Sequence, residues 1–289
     1  MTFLSWGAPV VGVWLVRFDD ASTDLFFIIA SLIFSLGVIP ILLSASRTPS
    51  LIETERFSIK KLYRITPLGV VGTFITGILH GAFFAGVPLY VVQIGMSVTE
   101  ISNINAIALA IGIFFQWPIA ILSDRFDRRM VPMVSVSLAA APAIFFAMLG
   151  ELSTIQSYLA VGFISAFVLG LYSQCVAHTN DHLTSTQVVS AAGALVLTYG
   201  IGFALTPAII GLLLSYSTTY FFWANGITAG LFALFILYRM TRRDAQDDQG
   251  GLIVVATASP YSTVFSAAEE WSDDGALQSS ESEKKSDQS

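Results

Sequence analysis

The 289 residues are 54% hydrophobic and only 12% charged. A soluble domain carries about 25% charge, so this chain is built for lipid as its solvent. Formal net charge is −6, but ten of the 20 acids lie after residue 243 in a polar tail, and the rest is close to neutral. With the 14 basic residues scattered over short turns, nucleic acid is excluded as a partner. The single cysteine, Cys175, excludes an intrachain disulfide and a four-cysteine zinc site.

Apolar runs cover about 3–16, 25–45, 67–92, 101–122, 130–149, 155–177, 187–214 and 219–238. A membrane helix needs roughly 20 apolar residues, so seven of the runs qualify and the first is short. The runs are continuous rather than alternating, which excludes the strands of a β-barrel. Run 3–16 has no preceding Lys or Arg and no small-residue cleavage site, and so reads as a membrane segment rather than a signal peptide. The connections set the orientation. Loop 46–66 holds Arg47, Arg56, Lys60, Lys61 and Arg64, and the 123–129 turn holds three arginines. Arg239, Arg242 and Arg243 follow the last run, whereas 93–99, 150–154, 178–186 and 215–218 contain no Lys or Arg. The positive-inside rule then places both termini in the cytoplasm of a plasma (inner) membrane protein. Gly69, Gly72, Gly77, Gly81 and Pro88 punctuate one run, and Gly193, Gly200, Gly202, Pro207 and Gly211 another. Most of these suit close helix packing, and a minority suit bending. Residues 244–289, rich in Ser, Asp and Glu, carry too little apolar surface for a core and read as mostly disordered.

One block stands out. Asp124, Arg125, Asp127, Arg128 and Arg129 put five charges into six residues between two apolar runs. At roughly +2.5 to +3.5 kcal/mol per charge at mid-membrane, it must lie at a membrane face. Read as Ala120-Ile-Leu-Ser-Asp-Arg-Phe-Asp-Arg-Arg129, it resembles the signature loop of the major facilitator superfamily. Leu122, Asp124, Arg125, Arg128 and Arg129 match that loop, and Ala120 and Asp127 replace its two glycines, as in the loop's degenerate second copy. Gln116-Trp-Pro, Ala177-His-Thr-Asn-Asp181 and Tyr199-Gly-Ile-Gly202 with Pro207 are similar to the YcaD-like branch.

The resemblance implies an all-α integral membrane bundle of about eight helices. Residues 1–45 would be the end of span 5 and span 6, 46–66 the cytoplasmic linker, 67–241 spans 7–12, and 242–289 the tail. It also implies that the chain begins inside a twelve-span transporter, so that a missing N-terminal half would be a partner. Asp124 would pair with an arginine of the turn in a cytoplasmic clasp that breaks as helices rearrange. The simpler reading is a plain basic turn.

His80 lies within a run otherwise free of Asp, Glu, Lys and Arg. An intramembrane ionisable residue points to function, and His can carry a proton near neutral pH. The alternative is a neutral histidine bonded to a neighbouring helix. By the resemblance, His80, Phe84, Tyr172 and Gln174 line a solute or proton cavity, and His178, Asn180 and Asp181 form part of an inner gate. Asn103, Asn105, Gln116 and Asn225 are expected to bond between helices.

The function expected is secondary transport of a small solute by alternating access; if the coupling ion is a proton, its carrier is either His80 or a group in the missing half. A transport-inactive structural or regulatory membrane protein retains every motif. A membrane-embedded enzyme has less support, because no Gly-x-Ser-x-Gly and no intramembrane acid pair occurs. No phosphate-binding loop occurs either, and no cofactor or metal is expected.

Overall fold

The computed structural model describes residue 12, residues 24–43 and residues 58–242. The rest of run 3–16, residues 44–57 of the linker region and the tail from 243 lie outside the described residues. Regular structure among the described residues is helical throughout. Helix α1 (Leu25–Leu43) is apolar along its length, with Phe27, Leu32, Ile33 and Phe34 exposed. After the short α2 (Ile59–Ile65) come α3 (Pro67–Gly81), a π turn (Ala82–Gly86) and α4 (Val87–Gln93). The chain continues through α5 (Val98–Arg125), α6 (Met130–Leu149), α7 (Thr154–Val168), α8 (Leu171–Asn180), α9 (Ser185–Tyr216) and α10 (Thr219–Met240).

Six stretches are long and apolar enough to cross a membrane: Pro67–Gln93, Thr99–Ser123, Met130–Leu149, Thr154–Asn180, Gln187–Tyr216 and Thr219–Met240. They follow the last six apolar runs closely, and the chain is a multi-pass helical membrane bundle. Their starts are written into short polar signals. Ser97 with Glu100, Ser153 with Gln156 and Thr184 with Gln187 are reciprocal capping boxes for α5, α7 and α9. Thr66 Oγ1 accepts from the Gly69 N–H at 3.2 Å, ahead of Pro67 at the first position of α3.

The main packing pairs are α3 with α9, α6 with α10, and α5 with α7. Between α3 and α9 the contact is backbone on backbone: a Cβ on Gly77 would run into the Tyr199 carbonyl oxygen, and one on Gly202 into that of Phe74. At one end of the bundle Tyr90 stacks on Phe221 at 5.3 Å, meets Phe222 edge-on at 5.1 Å, and shares a 2.9 Å hydrogen bond with Ser157. Buried hydroxyls elsewhere bond back to carbonyls of their own helix, as Thr76 does to Gly72 and Thr206 to Gly202. Asn105 and Asn225 do the same, donating to Ile101 and Phe221. The expected bonds between helices are therefore not formed by these two amides, because a short side chain reaches its own preceding turn first.

Two of the spans are not regular. In the first, Pro88 has no N–H for the carbonyl of Phe84 and its ring crowds that carbonyl. The helix widens there into the π turn, with the Val87 N–H reaching back to Ala82. In the fourth, α7 ends at Val168 and α8 begins at Leu171, so the break falls at Leu169 and Gly170, in mid-span.

Candidate functional site

The two irregular spans meet at His80. Its Nε2 lies 3.1 Å from the carbonyl oxygen of Val168, the last residue before the break. A carbonyl only accepts, so Nε2 carries the hydrogen. That leaves the Nδ1 lone pair to accept from the Tyr199 hydroxyl at 3.1 Å. The imidazole is 2% exposed and ties α3, the α7–α8 break and α9 together. It supplies the carbonyl of a broken helix with the donor that the break removes, which lipid cannot do.

Rings extend from this point. Phe84 sits edge-on to His80 with centroids 6.2 Å apart, and Tyr172 sits edge-on to Tyr199 at 5.1 Å. Phe203 lies 5.9 Å from Tyr199 and 6.4 Å from Phe84. The structure thus gathers His80, Phe84 and Tyr172 around Tyr199, while Phe83, Ser165, Val168 and Asn225 line a small void beside the break. Tyr199 was visible in the sequence only as part of a Gly-rich run. Its pairing with His80 spans 119 residues, and no local pattern announces it.

Gln174 belongs elsewhere. It faces Gln116 across Gly170: a Cβ at Gly170 would stand 3.5 Å from Gln174 Nε2 and 3.4 Å from Gln116 Cγ.

The remaining candidates collect at the end of the bundle that carries the Asp127–Arg129 turn. Arg128 Nη1 donates to Asp181 Oδ1 at the end of α8. Within the turn, Asp127 Oδ1 accepts from the Arg129 N–H at 2.8 Å and faces Arg129 Nε at 3.5 Å. His178, 6% exposed, packs edge-on against His182 with centroids 4.7 Å apart. The His182 Nδ1–H donates to the His178 carbonyl at 2.9 Å. Asn180 is the last residue of α8, and its carbonyl accepts from the Leu183 N–H. Thr66 and Thr179 approach to 3.5 Å through their hydroxyls and join the start of α3 to this corner. The side chains of Asp124 and Arg125 lie outside the described residues. Burial lifts the Asp181 carboxyl above the ordinary carboxylate range, against the opposing pull of Arg128 and then His182.

The arrangement offers three things chemically. It has an ion pair linking the turn to α8 at one end, a buried histidine hydrogen-bonded to two neighbouring spans, and two spans with interrupted helices. Among the described residues no group of three His, Cys, Asp or Glu side chains could hold a metal ion. Cys175 is buried against Gly72.

Comparison with known proteins agrees with this picture. The chain is 30% identical over 188 residues to the uncharacterized MFS-type transporter YcaD of Escherichia fergusonii, covering 62% of this chain and 46% of that protein. It is 29% identical over 211 residues to the Salmonella arizonae protein of the same name, covering 70% and 52%. It is also 28% identical over 189 residues to the uncharacterized MFS-type transporter YE1530 of Yersinia enterocolitica, covering 63% and 46%. The chain spans about half the length of the curated relatives it matches. The family model described as Major Facilitator Superfamily matches residues 1–192 and 69–271. With an all-helical multi-pass bundle beneath those matches, the chain belongs to the major facilitator superfamily.

Proposed function

We propose that this chain forms one half of a secondary transporter that moves a small solute across the plasma membrane by alternating access. In this reading residues 67–241 are the six-helix half and 46–66 the linker, and a further half completes the solute path. The observation that carries it is the pair of interrupted spans joined through His80. Discontinuous helices at mid-membrane are where transporters place their solute and ion sites. His80, bonded to Val168 and Tyr199, lies near the middle of the Pro67–Gln93 span. His80, Phe84 and Tyr172 form the solute-facing wall. The Arg128–Asp181 pair, with Asp127, Arg129, His178 and Asn180, is the cytoplasmic clasp that holds one state closed. The relatives named as transporters support the same reading.

The direct test compares the solute content of cells producing the chain together with the half that completes it with that of cells in which the chain carries Asp181→Ala, by untargeted measurement inside and outside. A difference in at least one solute is expected. Identical profiles favour the second reading, a structural or regulatory membrane protein, which the motifs alone also fit.

A proton is the coupling ion in this proposal, because His80 can gain one with little rearrangement. Nδ1–H would then donate to the Tyr199 oxygen, and the tyrosine hydroxyl would turn to point elsewhere. His80→Ala is expected to abolish transport or free it from pH. His80→Gln, which hydrogen-bonds but does not titrate, is expected to keep the bundle folded and lose the pH dependence. Transport by His80→Gln with an unchanged pH profile would remove the histidine from proton coupling.

A further inference from the structure

The charges of the bundle are divided between its two ends. Within residues 58–242 all eight Lys and Arg lie at the end that carries the Asp127–Arg129 turn. Lys60, Lys61 and Arg64 are on α2, three arginines are in the turn, and Arg239 and Arg242 close α10. Only Asp124, Asp127 and Asp181 oppose them there, and the other end has Glu100 and Glu151 with no Lys or Arg. Much of the positive charge faces outward. On α2, Leu62 is buried among residues of α3, α8 and α9, with Ile59 and Ile65 half-buried beside it, which leaves Lys60, Tyr63 and Arg64 exposed. Arg242 is exposed too, 5.5 Å from the Tyr238 ring, and Arg239 is half-buried. None of Lys60, Arg64, Arg239 and Arg242 has a carboxylate in ion-pair range among the described residues. The two groups flank the start of α3. Helix α2 leads into it through Thr66, and a Cβ on Gly72, between one and two turns further in, would touch Phe232 of the antiparallel α10. From Phe232, α10 runs back out to Arg239.

The opposite charge is on the same chain. Residues 244–289, outside the described residues, hold ten Asp and Glu against Lys284 and Lys285. The linker before α2 offers no rival, because Arg47 and Arg56 balance Glu53 and Glu55. Asp244, Asp247 and Asp248 follow at once on Arg243. Asp273 and Asp274 come about 30 residues on, a length over which a flexible chain averages about 30 Å between its ends. Hydrocarbon of about the same thickness separates this segment from the acidic end of the bundle. Only the basic end is both within reach and of opposite sign.

We propose that the acidic segment 244–289 docks on this basic surface, against Lys60 and Arg64 of α2 and Arg239 and Arg242 of α10. Single exposed ion pairs are weak. Tethering holds the acids at an effective concentration in the millimolar range, so that several weak pairs act together. Anionic lipid headgroups are the competing occupant, and they lack the tether. The docking stands without the transport reading; where that reading holds too, the docked segment overlies the end that carries Arg128 and Asp181 and restrains the clasp.

Lys60 and Lys61 are the only lysines outside the segment, so zero-length carbodiimide coupling reports the contact in the full chain, held one copy per lipid nanodisc. Amide links from Lys60 or Lys61 to Asp or Glu beyond residue 243 are expected. Mass spectrometry counts them against links to Glu53 and Glu55, the internal standard. Raising salt from about 0.01 M to about 1 M shortens the Debye length from about 30 Å to about 3 Å and should lower that ratio about tenfold. Arg64→Gln with Arg242→Gln leaves both lysines in place and should lower it about fivefold, the worth of two exposed ion pairs. Three results would overturn the proposal: no such links in phosphatidylcholine discs, a ratio indifferent to salt or to the two substitutions, or links that vanish when phosphatidylglycerol is added. The last would give the surface to lipid headgroups. No arm of the test involves solute movement, so its failure leaves the transport reading standing. Failure of the transport reading likewise leaves the docking standing.

Discussion

Arg128→Ala is expected to destabilise the folded chain by about 3 kcal/mol, because it takes the principal cation away from a carboxylate that stays buried. Both side chains are only 10% exposed, so water compensates little of that charge. The pair joins the α5–α6 turn to the end of α8, 53 residues further along the chain. Asp181→Ala should cost a similar amount, and the double variant much less than the sum. A coupling of about 1.5 kcal/mol or more in the double-mutant cycle is the expected result, measured by denaturant unfolding in detergent. Additive single effects would mean that the two groups do not act as a pair.

The same pair carries a pH dependence whose sign can be worked out. Burial raises the Asp181 carboxyl from its ordinary value of 3.8, while Arg128 pulls it down. A group whose pKa is higher in the folded state adds stability below its unfolded pKa and loses it as pH rises through the folded one. Taking Arg128 away removes the larger lowering influence and leaves the burial, opposed only by the weaker pull of His182. The Arg128→Ala defect should therefore be smallest near pH 4 and grow as the pH rises. In an Arg128→Ala, Asp181→Asn background that growth should vanish. A defect of constant size across pH would place the cost of Arg128→Ala in packing rather than charge.

How much of this was legible beforehand depends on range along the chain. The apolar runs mark the spans to within a few residues, because hydropathy over 20 residues outweighs any local preference, and Ser-x-x-Glu or Ser-x-x-Gln marks their starts. The five-charge block was legible as a surface turn for the same reason. The partner of Arg128 was not: no local pattern points to Asp181, which the structure brings from 53 residues away. The break at Gly170 was hidden inside a continuous apolar run, since one glycine in a membrane helix ordinarily signals packing. Pro88 was visible, but whether a proline kinks, bends or widens a helix depends on the neighbours that take up its freed carbonyl. His80 was legible as a group bonded to a neighbouring helix, one of its two readings, but its partners were not, because they are set by how α3, α7 and α9 come together.

The glycines of α9 separate these levels experimentally. Gly202→Ala, like Gly77→Ala opposite it, should be among the most damaging single-methyl changes in the chain. In each case the obstruction is a backbone carbonyl of the facing helix, with a backbone nitrogen close behind at 3.1 Å (Ile78) or 3.0 Å (Phe203). Neither obstacle has a rotamer to change, so α3 and α9 must move apart. Overpacking of this kind typically costs about 1–3 kcal/mol, occasionally more. Separation would also stretch the His80–Tyr199 bond, one turn from each glycine, for about another 1 kcal/mol. Gly193, Gly200 and Gly211 lie on the same helix with nothing within 4 Å of a Cβ. Alanine there should be neutral or stabilising by up to about 1 kcal/mol, the difference in helix propensity. Melting temperatures of the five variants in detergent test the contrast, and equal behaviour of Gly200→Ala and Gly202→Ala would refute it. The outcome bears on mechanism, because a pair of helices locked backbone to backbone can only move as one body. In the proposed transport cycle, motion would then be taken up where the spans are already broken, at the π turn and at Gly170, with His80 held between them.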